Sequence, residues 1–347
     1  MRFQLILPTL ALLWSVALPS SAQNQKLVVS PSSFDFKPLD QLLAQDQKPL
    51  DKSFTVLVYK DFKLVYLKEM GESKANMPQG IGSTSKWLTA ALTLALVDQG
   101  KLSLDDKVAT YLPIFKAYGK AYITVRQCLT HFTGLAASGI TNLHLGKYPT
   151  LEAEVNDLVK REIQTNPGTE FRYTDAGYAI VGRVLEVITK KPFDRLMKET
   201  LFLPLGMKRS TFMSGENAVD PAEGAQCPPA ELLNFTSMIL NKGLFNGKRI
   251  LSDMAIAELL KPETSAAQIK ASPVGVDGYN YALGAWIESI DAGGLPSVLC
   301  APSLKGSWAW VDFTRGYTAL LLVDKEFGEP KKQVYVQVQS TIEQALH

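Results

Sequence analysis

Histidine and cysteine are both scarce in this 347-residue chain, with three of each. The histidines, His131, His144 and His347, are too few and too scattered to form a metal-binding cluster. Cys128, Cys227 and Cys300 fit no zinc-ligand spacing, so the chain does not read as a metal-dependent hydrolase. An odd number of cysteines allows at most one bridge and leaves a free thiol, and a buried single cysteine is ordinarily a small core residue. Charge is also nearly balanced: the formal net charge is +2 and 20% of residues are charged, so nothing in the composition points to nucleic acid or an anionic membrane. No Gly-x-Ser-x-Gly motif occurs anywhere, which argues against a nucleophile elbow and the Ser-His-Asp chemistry that goes with it. There is no internal repeat, no low-complexity tract and, beyond the first residues, no long apolar run.

The one apolar run opens the chain. Met1-Arg2 is followed by a nearly uncharged stretch to Leu18 and then by Ser20-Ser21-Ala22. Small residues at that point suit a signal peptidase, and the run falls short of the roughly 18 to 20 residues that span a bilayer. Residues 1–22 therefore read as a cleaved secretory signal, with a periplasmic or secreted location and no stable membrane span after cleavage. Residues 23–347 are long enough for one large domain with a sizeable core.

Periodicity divides that domain in two. The segment FDFKPLDQLLAQ carries leucines at helical spacing, and SFTVLVYK and FKLVYLKEM flank Lys60-Asp61 as a hairpin. Apolar residues then recur at helical spacing from Lys86 to Val97, with Gly100 as the stop. Helical periodicity continues around residues 124–132, 151–164, 176–190, 193–202, 229–242 and 252–261. Strand character returns in YALGAWIES, PSVLC, GSWAWVDF and GYTALLLVD, before a final helix-like KKQVYVQVQSTIEQAL. The pattern predicts an α/β chain of the α+β type. Its antiparallel sheet lobe, about 27–80 and 275–347, is built from both chain ends, and a central helical lobe spans about 83–265. A cleft between the lobes is the expected ligand site.

One short stretch has two opposed readings. In IGSTSKWLTAAL, residues 81–92, Ser83 and Lys86 stand three positions apart before an apolar helical run. A helix start with Ser83 as N-cap and a solvated Lys86 explains the pattern. So does catalysis, because the spacing puts the ammonium on the same helix face as the hydroxyl it would help activate.

Further along, YLPIF, LTHFTGL and LPLGM punctuate the chain, and Tyr173 and Asp175 sit just before a helix in NPGTEFRYTDAGYAIVGRVLEVI. Together with GSTSKWLTAALTLALVDQGKLSLDDKVATYLP, these segments resemble the serine beta-lactamase-like family in order and spacing, from about residue 53 to 323. That family contains class C beta-lactamases, penicillin-binding carboxypeptidases and related esterases. The resemblance implies that Ser83 is the acyl-accepting nucleophile, Lys86 the lysine that shares or removes its proton, and Tyr173 the second-motif tyrosine of general base and acid catalysis. It implies no cofactor, and a structural role for His131. A helix N-terminus at Ser83 also aims amide N–H groups at a developing oxyanion.

Two departures from the family pattern stand out. The second motif usually reads Tyr-x-Asn, and here it is Tyr173-Thr174-Asp175. Asp175 either pairs with Lys86 and keeps it protonated, favouring Tyr173 as the base, or caps the following helix. The third motif, a Lys- or His-x-Gly strand, aligns with Ala301-Pro302-Ser303, which has neither the cation nor the glycine. In that register the Leu304 amide supplies the second oxyanion donor, and Lys305 either substitutes for the missing cation from two residues beyond Ser303 or, as the more ordinary reading, is an exposed turn lysine. Loss of the cation argues against substrates recognised by a carboxylate. Relatives tend to carry Gly-Gly and Ser-Thr where this chain has Glu223-Gly224 and Cys227-Pro228; no role follows from that change.

The expected function is thus a secreted serine hydrolase acting on a small-molecule or peptide-like ester or amide through an acyl-enzyme on Ser83, an esterase or peptidase rather than an efficient beta-lactamase. The alternative is an impaired relative that binds a peptidoglycan fragment or a protein partner.

Overall fold

The computed structural model describes residues 27–45, 50, 52–136, 148–212, 217–273, 275–304, 306–323 and 329–347. The secretory signal expected over 1–22, His144 and Lys305 lie outside the described residues.

Seven strands make the main sheet: β1 Phe54–Lys60, β2 Lys63–Met70, β3 Asn280–Tyr281, β4 Trp286–Ile290, β5 Pro296–Pro302, β6 Ser307–Asp312 and β7 Tyr317–Val323. Their spatial order is β2-β1-β7-β6-β5-β4-β3, antiparallel throughout. The fold is therefore the mixed α/β type with an antiparallel sheet drawn from both chain ends. Both faces of the sheet are covered, which is why β7 is apolar and buried along its whole length. Leu320 and Leu322 pack with the helical lobe on one face, and Ala319, Leu321 and Val323 pack on the other, the alternation that a period of two requires.

The main helices are α1 Lys37–Gln45, α2 Ser85–Asp98, α3 Leu151–Leu158, α4 Ala176–Thr189, α5 Pro229–Leu240, α6 Asp253–Leu260 and α7 Glu329–Ala345. On one face of the sheet α1 packs against α7, joining Leu39, Leu43, Val338 and Ile342 to Val56 and Leu321. On the other, α5 lies across β7, β6 and β1. Helix α2 is buried from Ser85 to Leu96, and its apolar character all round suits a helix surrounded by protein.

The expected elements are present with shifted edges. Helix α2 ends as read: Gly100 has φ +66° and its N–H reaches Val97 O at 2.8 Å, while Lys101 N–H reaches Leu96 O at 3.0 Å. The hairpin turns at Asp61-Phe62, both with positive φ, one residue later than expected. The 124–132 segment is helical only over Val125–Leu129, opened by a Thr124–Gln127 capping box. The 151–164 segment leaves the helix after Leu158, and 193–202 is a short α-helix, Phe193–Met197, running into a π-helical turn, Lys198–Phe202. Pro302 does end a strand. Its neighbour β4 pairs only as far as Cys300, so the missing N–H faces no partner strand. All three cysteines are buried and free.

Candidate active site

Ser83 lies in a single 3-10 turn, Gly82–Thr84, that feeds α2. It is not a helix cap, since no side-chain capping bond is made there. The turn is fixed by polar stitches to the sheet. Thr84 Oγ1 donates to Ala301 O at 2.9 Å and lies 3.0 Å from Ser307 Oγ, and Ser307 Oγ donates to Ile81 O at 2.6 Å. The Ser83 N–H donates to Ser303 Oγ at 3.0 Å. An amide expected to face an oxyanion is thus satisfied by a hydroxyl from the end of β5. Leu304 follows, half-buried, in the turn between β5 and β6.

Lys86 is fully buried one turn below Ser83, the opposite of a solvated first-turn lysine. Its Nζ lies 2.7 Å from Asp175 Oδ1, 3.2 Å from Glu223 Oε1 and 4.8 Å from the Tyr173 ring centroid. Burial alone lowers its proton affinity, but Asp175, Tyr173 and Glu223 outweigh that and hold the ammonium well above the ordinary lysine range. Of the two readings of Asp175, pairing with Lys86 is the one observed; Asp175 sits at the N-cap of α4 without a side-chain capping bond. Close approach of the sheet to α2 depends on Gly284, at φ +78°, where a Cβ would fall 2.6 Å from Lys86 O.

Tyr173 is buried beside Ser83 and Lys86, and its side chain interacts with the Ser83 hydroxyl. Burial raises its phenol, against the pull of Lys86, so the ring is a proton donor in this state. His131 packs against Tyr173 at a tilt, ring centroids 4.4 Å apart and ring planes 37° from parallel. Its Nδ1 accepts the Thr174 N–H at 3.2 Å, which assigns the proton to Nε2, 3.0 Å from Tyr281 Oη. Tyr281 in turn meets Tyr178 at 3.2 Å, and Tyr178 donates to Leu129 O. Burial and the nearby Lys86 push the imidazole well below its usual range, so a neutral His131 buttresses Tyr173 and never faces Ser83.

Sequence reasoning missed Glu223. The Ser83 hydroxyl donates to its Oε1, and the same oxygen is shared with Lys86. The loop that carries it is strapped along α2: Thr89 Oγ1 donates to Pro221 O at 2.7 Å, Lys86 Nζ to Ala222 O at 3.4 Å, and the Ala225 N–H to Ser85 Oγ at 3.0 Å. Asp220 accepts the N–H groups of Ala222 and Glu223, an Asx-type turn. The Asp220 carboxyl is pushed up to about 6, chiefly by burial and then by Asp175. Glu154 on α3, close enough to feel Asp220 and Asp175, is pushed up to about 7, again mainly by burial. Only an Asp-x-x-Glu pair hinted at this turn, and that pattern is common in loops.

Around Ser83 there are thus a fixed ammonium, a protonated phenol and a carboxylate in contact with the hydroxyl, the materials of acyl transfer to serine. Among the described residues no group of three or more His, Cys, Asp or Glu side chains is placed to hold a metal ion.

Comparison with known proteins identifies the family. Penicillin-binding protein 4 of Amycolatopsis lactamdurans is 36% identical over 139 residues, covering 39% of this chain and 36% of that protein. An N-acetylmuramyl-L-alanine amidase of Bacillus subtilis (strain 168) is 27% identical over 220 residues, 56% of this chain and 50% of that protein. The match thus spans about a third to a half of these curated relatives' length. The crystal structure of a candidate beta-lactamase from Bacteroides dorei DSM 17855 superposes with a TM-score of 0.81 at 25% identity, covering 90% of this chain and 99% of that one. The Beta-lactamase family model matches residues 43–338, from α1 into α7, and by that match the chain belongs to the beta-lactamase family.

Proposed function

We propose that this protein is a serine hydrolase that forms an acyl-enzyme on Ser83 and hydrolyses an ester or amide of a small or peptide-like substrate. The observation that carries this reading is the buried Lys86, held as an ammonium between two carboxylates directly beneath the Ser83 hydroxyl. A buried, paired lysine at that place has no packing advantage over an apolar residue, since desolvating the charges offsets their attraction. It does lower the free energy of a neighbouring oxyanion or alkoxide. Tyr173, as a protonated phenol beside Ser83, is suited to deliver a proton to the leaving group. The Ser83 amide and the Leu304 amide are the proposed oxyanion donors, the former once the substrate oxygen displaces the Ser303 hydroxyl.

Substrate preference follows from charge. Ala301-Pro302-Ser303 offers no cation on β5, while Asp175, Glu223 and Asp220 crowd the opposite side. Among the described residues a substrate carboxylate finds no charge-assisted partner there, so neutral esters and amides are favoured over penicillins. Relatives named as a penicillin-binding protein and as an amidase support acyl-group chemistry as the reaction class. The leader-like residues 1–22 support export, and no helix among the described residues is long and apolar enough to cross a membrane.

The test is intact-mass spectrometry after exposure to a fluorophosphonate and, separately, to a penicillin. A fluorophosphonate adduct in the wild type that is absent in Ser83→Ala is the expected result, with little or no penicillin adduct. Folded protein that takes neither label would leave a binding relative as the better reading.

A further inference from the structure

We propose that Glu223 is a catalytic residue, the general base that takes the Ser83 proton, with Lys86 remaining an ammonium throughout. This inference rests on the serine-hydrolase reading of the same site. Four groups around the nucleophile could in principle accept the proton. His131 is turned away, its two ring nitrogens engaged by Thr174 and Tyr281. Lys86 is locked between Asp175 and Glu223 and has no lone pair to offer while it stays charged. Tyr173 is a buried phenol whose proton is retained. Glu223 alone is a carboxylate to which the Ser83 hydroxyl already donates its hydrogen, the contact a general base needs before any geometric change.

The loop is built to keep it there. Asp220 holds the Glu223 N–H, the Asp220 carbonyl accepts the Gly224 N–H at 2.8 Å, and a Cβ at Gly224 would meet that carbonyl oxygen at 2.7 Å. The neighbouring Ala225 is tied on both sides of the nucleophile turn, accepting the Ile81 N–H at 3.1 Å and donating to Ser85 Oγ. A carboxylate on so short and so bonded a turn is preorganised rather than swung in.

The proton balance closes. As Ser83 Oγ bonds the substrate carbonyl carbon, its O–H bond breaks, Glu223 Oε1 takes the proton, and the C=O π pair moves onto the carbonyl oxygen. When that pair returns, the bond to the leaving nitrogen or oxygen breaks, and the leaving atom takes a proton from Tyr173, which Glu223 replaces. Water then attacks the acyl carbon, giving its proton to Glu223, and the Ser83–acyl bond breaks as Oγ recovers that proton.

The test measures the rate of fluorophosphonate labelling and the steady-state hydrolysis of p-nitrophenyl acetate in wild type, Glu223→Gln and Glu223→Ala, each checked for folding by circular dichroism. Glu223→Gln keeps the shape but cannot take a proton, and both rates should fall by about 10²- to 10⁴-fold, the loss falling on kcat rather than KM. Glu223→Ala should be equally slow and should recover part of its rate in proportion to added formate, which a purely structural role would not permit. Labelling of Glu223→Gln within about threefold of wild type, far short of a general-base effect, overturns the inference alone, as does a Glu223→Ala enzyme indifferent to formate. Absence of any Ser83 adduct in the wild type overturns the hydrolase reading and this inference together.

Discussion

The two walls that flank Ser83 are made of opposite materials. One, from residues 173–175 and the 220–225 loop, brings Tyr173, Asp175, Asp220 and Glu223 around Lys86. The other, the end of β5 and the turn after it, brings Ala301, Pro302, Ser303 and Leu304, with one hydroxyl on the nucleophile's amide. Ionisable side chains are thus concentrated on one side, and the other offers backbone, a hydroxyl and shape. Catalysis should therefore fail in steps of very different size depending on which wall is altered.

The largest effect belongs to the charged wall. Lys86→Ala removes the cation held between Asp175 and Glu223; turnover should drop by several orders of magnitude. The fold should lose about 3 kcal/mol because the buried Glu223 and the partly exposed Asp175 lose the cation they share. Kinetics and denaturant unfolding of the same sample would separate the two losses, and a variant with near-normal turnover would remove Lys86 from the mechanism. Tyr173→Phe comes next. It keeps the ring against His131 and deletes the hydroxyl, so stability should change little while kcat falls about 100-fold, as expected for one proton-transfer group. An unchanged kcat would mean that the leaving group draws its proton elsewhere.

The strand wall should respond more gently. Ser303→Ala frees the Ser83 N–H from its present partner, so a substrate oxygen no longer has a hydroxyl to displace. KM should fall by no more than about tenfold, the worth of one neutral hydrogen bond. A large loss of kcat instead would show that the Ser303 hydroxyl takes part in the reaction. The smallest effect lies behind the charged wall and reads out in stability alone. Glu154, pushed up to about 7 when folded, binds its proton more tightly in the folded protein than in the unfolded chain. Its contribution is complete below the unfolded carboxyl value and is lost as pH rises through about 7. Wild type and Glu154→Gln should match near pH 4, and the variant should be the more stable by about 2 kcal/mol at pH 8. A difference that does not vary with pH would show that Glu154 is not titrating in that range.

The comparison of walls also marks what could be read from the sequence. Ser83 and Lys86 were legible because their relation is local: one helical turn carries both. Tyr173 and Asp175 were legible because they crowd a helix start, and the pairing of Asp175 with Lys86 was one of two readings that residue chemistry allowed. Glu223 was not legible. Its contact with Ser83 spans 140 residues and depends on an Asx-type turn inside a loop whose Pro and Gly read as mere punctuation. A fully buried lysine calls for neutralisation, but nothing in the local pattern says that it would draw on two carboxylates. The fold followed the same rule. Periodicity located the strands and α2 well, whereas the 124–132 and 151–164 segments ended early, because helical periodicity outran the stretch over which backbone hydrogen bonds are made. The small two-stranded pairings, such as Gln79–Gly80 with Gln226–Cys227, were too short to leave a period.

The strand order carries a cost in time. Phe54 on β1 faces Val323 on β7, and Lys60 faces Tyr317, so the middle of the sheet joins residues from nearly opposite ends of the polypeptide. Closing so long a loop delays the reward of contact and makes such topologies slow to fold. Until β7 emerges from the ribosome, the β1–β2 hairpin has a raw edge and no neighbour beyond it, and α5 has no sheet to lie on. A nascent chain in that condition stays open and dependent on protection from aggregation, which is also the condition in which a polypeptide is most easily threaded through a narrow pore.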